Sequence, residues 1–128
     1  MVLNRGFLVL SLMTCVVSCV SLGVNVGGIS DVYVSDFHSK DMTSCGPSDV
    51  DLGHHEAREF FIRSRQVEYR VIHDNYNHAP CYLEGVLKQG PKVCEWEIRA
   101  GATGLIRCGD EVRHFVCDTC DDLFSRGK

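Results

Sequence analysis

With 128 residues, 17 acidic side chains against 13 basic ones and a formal charge of −4, the chain has the size of one domain and no basic footprint for nucleic acid. Eight cysteines in so short a chain argue against a reduced cytosolic domain and place much of the stability on cross-links. From the start, Arg5 is the only charge before Asp31, and Gly6 to Val17 reads GFLVLSLMTCVV without a charge. That run is too short to span a bilayer, which takes about 20 apolar residues. It also lacks the polar face of a core helix. A positive start, an apolar middle and small residues after it describe an export signal over 1–18.

Val16-Val17-Ser18-Cys19 resembles a bacterial lipobox, with an aliphatic residue three before the cysteine and a small one just before it. The resemblance implies that Cys19 is lipidated and becomes the mature N-terminus, while Cys15 is discarded. Ordinary cleavage after Ser21-Leu22-Gly23 is the alternative, giving a soluble periplasmic or secreted product. Without Arg5 the mature chain holds 12 basic residues against 17 acidic ones, a net charge near −5. No polybasic patch is left to hold anionic lipid, so a lipid chain on Cys19 would be the membrane anchor.

Residues 19–44 are expected to form the anchor and a flexible tether, with DVYVSDF as a possible short strand inside it. The folded domain is expected over 45–128. A helix is predicted from about Asp51, capped by Ser48 or Asp49, with Leu52, Ala57, Phe60 and Phe61 as its apolar stripe. Val67, Tyr69 and Val71 then alternate as a strand, although the same residues also continue a helical stripe. After the turn-rich loop His73–Pro80, strands are predicted at Cys81–Lys88, Lys92–Ala100, Leu105–Cys108 and Val112–Cys117. In the second of these Cys94, Trp96 and Ile98 face the core, and Glu95, Glu97 and Arg99 face solvent. Leu123 and Phe124 are expected to tuck against the domain. The fold class is therefore α+β: one N-terminal helix on an antiparallel meander of four or five strands, stapled by disulfides.

Six cysteines remain once Cys15 and Cys19 are set aside, and an exported domain of ~80 residues favours three bridges. If Arg99 pairs with Thr103 around a turn at Ala100-Gly101-Ala102, Cys94 lies directly across from Cys108. A two-residue turn would put the two sulfurs on opposite faces. For the rest, Cys81–Cys117 with Cys45–Cys120 is preferred slightly over the swapped pairing. The C-x-x-C at Cys117 and Cys120 also admits a thiol–disulfide redox reading, which Asp118, Asp121 and Asp122 disfavour by opposing a thiolate. Zinc is disfavoured because no second C-x-x-C exists.

No catalytic set stands out, and no cofactor or metal is expected. His54-His55-Glu56 lacks the one-turn spacing of a helical zinc motif, and His73 and His78 read as loop residues. There is no nucleophile elbow. Glu95 and Glu97, with Glu84 on the neighbouring strand, read as a solvated face. Pro80 to Phe124, with its WEIRAGATG turn and CDTC, resembles small exported cysteine-rich proteins of Gram-negative bacteria. That resemblance implies export and carries no functional residues. The expectation is a lipid-anchored periplasmic protein without catalysis that binds a protein partner in the cell envelope, an inhibitor or immunity protein being one form. An envelope assembly factor and a redox protein are the alternatives.

Overall fold

The structure is a computed structural model, described over residues 28–76 and 78–124. The signal and anchor expected at 1–18 and Cys19 lie outside the described residues. Strand β1 (Ile29–Ser39) is followed by a single 3-10 turn (Pro47–Val50), helix α1 (His54–Arg63), strand β2 (Arg65–Val67) and helix α2 (Tyr69–Asn75). Strands β3 (Cys81–Gln89), β4 (Lys92–Arg99), β5 (Thr103–Cys108) and β6 (Glu111–Val116) come next, and a short helix α3 (Asp121–Phe124) ends the described chain. All strands pair antiparallel in one sheet of order β1-β3-β4-β5-β6-β2. The mixed α and β class and the meander match the sequence reading; the sheet has six strands rather than four or five.

Three of the expected elements need correction. The segment 19–44 is not a tether throughout, because β1 pairs along β3 from Ile29↔Gln89 to Ser39↔Cys81. Its apolar residues Ile29 and Val32 are buried, and Val34 and Phe37 pack against the same core. The helix starts later than expected, at His54. Asp49 instead accepts the Gly46 amide at 2.8 Å and closes the preceding 3-10 turn. Residues 65–75 are strand and then helix, as β6 pairs with only Arg65, Gln66 and Val67 before Tyr69 turns over the sheet.

The register sorts the sheet into two faces. On one, Leu83, Ile98, Gly104 and Phe115 form a row, and Gly85, Trp96, Ile106 and Arg113 form the next. Helix α1 lays Phe60 and Phe61 on this face, with Phe61 meeting Trp96 and Phe115 edge-on at 5.8 and 5.7 Å. Of the predicted stripe, Ala57, Phe60 and Phe61 form the buried side of α1, and Leu52 is buried in the segment just ahead of it. Phe124 packs edge-on to Phe60, and a paired contact of Arg63 with Asp122 ties α1 to α3.

Three disulfides close the domain: Cys45–Cys81, Cys94–Cys108 and Cys117–Cys120. Arg99 pairs with Thr103 as the three-residue turn requires, and Ala102 takes the left-handed conformation at its last position (φ 58°). Cys94 therefore meets Cys108. The preferred pairings Cys81–Cys117 and Cys45–Cys120 are both overturned. Once β1 brings Ser39 opposite Cys81, the Ser39 hydroxyl holds the carbonyl of Cys45 at 2.7 Å, and the loop delivers Cys45 to Cys81. Cys117 and Cys120 then close on each other across the turn into α3.

Strand β1 is an edge of the sheet, and two of its amides are capped by side chains. The Val34 amide donates to His54 Nδ1 at 2.9 Å, and the Phe37 amide donates to Asp36 Oδ1 at 2.8 Å. Tyr33 stacks on the His54 ring at 4.5 Å.

Candidate functional site

The face of the sheet opposite α1 is the candidate site. Strand alternation places Val86, Glu95, Arg107 and Val112 in one row across β3 to β6, and Glu84, Glu97, Leu105 and His114 in the next. A third row holds Tyr82, Arg99, Thr103 and Val116. Val86, Val93 and Val112 are exposed, Val93 at 68 %, among a Glu95–Arg107 ion pair at 3.5 Å and Lys88. A shallow hollow of about 210 Å³ runs over Ser35, Glu84, Val86, Glu95, Glu97 and Arg107.

Helix α2 covers one end of this face. Ile72 is buried beneath it, and the exposed Tyr69 ring lies 5.3 Å from His114. A smaller hollow of about 90 Å³ separates α2 from Glu97, Arg99 and Leu105. This overhang corrects the expected exposure of two residues. Glu95 is open to solvent, but the side chains of Glu97 and Arg99 are only 22 % and 19 % exposed. Arg99 stacks over the Tyr82 ring at 4.6 Å and donates to the Ala79 carbonyl at 3.1 Å, holding the loop after α2 in place.

A polar cluster fixes the far end of α2. The Tyr76 hydroxyl donates to Asp118 at 2.6 Å, Arg65 Nε donates to the same carboxylate at 2.8 Å, and Arg65 also reaches the Tyr76 oxygen. The Tyr76 hydroxyl and then Arg65 hold the Asp118 carboxyl below its ordinary range, while the tyrosine is pushed up by that carboxylate. An anion thus sits between the two C-x-x-C cysteines.

The histidines fall into separate places. His54 caps the β1 edge, and His73 contacts Asp74 at 3.0 Å. His73 and His78 border one hollow with Tyr76 but do not converge with a third metal-ligating group. Among the described residues, Cys45, Asp49 and Cys81 lie close enough to share an ion, but the two sulfurs are bonded to each other. Asp36, His38 and Glu84 form a second such group, which the sequence concealed because it joins β1 to β3.

Burial lowers the pKa of His114, and burial, then Arg99 and Lys40, lowers that of His78. The unfolded chain takes up a proton near pH 6.5 that the folded chain resists, so these two groups weaken the fold as pH drops below about 6.5. His38 acts oppositely: contact with Glu84 raises its pKa, so its contribution is full below about 6.5 and is lost as pH rises through the folded value. Substituting His114→Gln should therefore reduce the loss of stability between about pH 7.5 and 5.5. Denaturant midpoints at the two pH values test this, and an unchanged difference would refute it.

No protein-family model, curated protein or solved structure matches the chain. Three disulfides are consistent with an exported protein, and among the described residues no helix is long and apolar enough to cross a membrane.

Proposed function

We propose that the protein is exported, held to a bacterial membrane through lipidated Cys19, and binds a protein partner in the cell envelope without catalysis. The observation that carries this reading is the open sheet face. Its exposed valines stand among charged pairs on a rigid, disulfide-stapled sheet, the mixture of apolar points and polar surround that partner surfaces use. An inhibitor or immunity protein is a concrete form of such a binder. A photo-crosslinker at Val93 should give a discrete adduct in intact cells, and one at Ile62, on the opposite layer, should not. Absence of adducts from Val86, Val93 and Val112 alike would overturn the surface assignment. Cys19→Ser should move the protein from the membrane to the soluble fraction, and an unmodified N-terminus at Val24 in the wild type would reject the anchor.

A redox role is the second reading, favoured by the bond between Cys117 and Cys120. Exchange requires a thiolate to reach a sulfur. Cys117 is 4 % exposed and Cys120 is fully buried, so neither sulfur is open to an attacking thiolate. The pair should therefore resist dithiothreitol until the chain unfolds. Rapid labelling of both thiols in the native protein after mild reduction would favour the redox role instead.

A further inference from the structure

We propose that Asp36, His38 and Glu84 form a binding site for one divalent transition-metal ion, zinc being the ion that fits. A register shift between Val34 and Asp36 starts a new pairing frame on β1. Asp36 then stands opposite Glu84, and His38 opposite Tyr82, with all four on the open face. Bulges of this kind re-aim side chains and recur beside functional sites. One donor atom from each of Asp36, His38 and Glu84 lies within 4.8 Å of the others.

His38 stands between the two carboxylates, in ion-pair contact with Glu84 and with Asp36 on its other side. His38 Nε2 lies 2.8 Å from Glu84 Oε1 and 3.8 Å from Asp36 Oδ2. The side chain is 41 % exposed, yet Nε2 is shut off from solvent and no aligned hydrogen bond satisfies it. Tetrahedral ligands bound to one zinc at about 2.0–2.2 Å sit roughly 3.4 Å apart, between the two spacings at His38 Nε2, so small side-chain shifts would bring the donors onto one ion.

The surroundings orient each donor, as supporting groups do around metal ligands. The Phe37 amide pins Asp36 Oδ1 at 2.8 Å and leaves Oδ2 toward His38. The Tyr82 ring stacks on the imidazole at 5.2 Å and fixes its plane. Glu97 stands directly across β4 from Glu84, so three carboxylates line up over adjacent strands. Like charges placed opposite one another destabilise a sheet; Arg99, 3.9 Å from Glu97, offsets one of the three, and a cation bound between Asp36 and Glu84 would offset the others. The donors include an imidazole and no thiolate. That set suits zinc better than calcium or magnesium, which prefer oxygen alone.

The test follows the side-chain nitrogen resonances of the histidines while the full-length chain is titrated with zinc at neutral pH. One equivalent should shift His38 Nε2 before any other histidine. His38→Gln should abolish this first site, and Glu84→Gln and Asp36→Asn should each weaken it at least about tenfold. Calcium should leave His38 unmoved. Asp36 is exposed, so Asp36→Asn should fold even if Glu84→Gln does not, with the melting temperature as the check. A His38 resonance that zinc leaves in place, or an affinity unchanged in His38→Gln or Asp36→Asn, overturns the proposal.

Discussion

Replacing Trp96 with alanine should cost about 3–5 kcal/mol, the range for truncating a large buried aromatic. The residue has no exposed surface, and its ring meets Phe61 edge-on at 5.8 Å. The indole lies across β3 at Gly85, where even a single Cβ would strike the ring and the Tyr33 carbonyl. That close approach lets Nε1 donate to the Val86 carbonyl at 3.0 Å. Truncation would open a cavity under α1 and remove the carbonyl's partner together. Denaturant unfolding at constant slope is the measurement, with Glu95→Ala as a control on the same strand. Glu95 is 72 % exposed, so its loss should stay within about 0.5 kcal/mol. Equal effects would mean that the faces of β4 are wrongly assigned.

Removing both Cys45 and Cys81 as alanines should be the costliest disulfide deletion, at about 4 kcal/mol on the chain-entropy account. That bridge spans 36 residues, against 14 for Cys94–Cys108 and 3 for Cys117–Cys120. The same account gives about 3 kcal/mol for the hairpin bridge and about 2 for the C-x-x-C pair. The longest bridge also fastens the loop before α1 to the start of β3, so its loss should loosen the packing of α1. Paired-alanine variants compared by thermal melting check the order. A C-x-x-C deletion more harmful than the Cys45–Cys81 deletion would contradict it.

The β4–β5 hairpin was legible because its information is local. Alternation assigned the faces, and the length of one turn placed Cys94 across from Cys108. The other two bridges depend on where distant segments meet. Cys81 finds Cys45 only because β1 pairs with β3, and a stretch read as tether gave no hint of an edge strand. Helix α2 was obscured for a related reason. Val67, Tyr69 and Val71 fit two periods, and the burial of Ile72 over the sheet decides between them. The group around His38 joins residues separated by more than a third of the chain, so no spacing motif could reveal it.

The side chains that cap two β1 amides bear on how copies of the protein meet. Open sheet edges recruit further strands, and confinement to a membrane would raise the frequency of edge-to-edge encounters. Here a second copy would find the amides of Val34 and Phe37 already engaged by an imidazole and a carboxylate, with a tyrosine ring lying against that imidazole. Such a border gives little purchase for zipping into ribbons. A crowd of these molecules should therefore remain a population of individuals, each with its valine-studded face free for a different kind of neighbour.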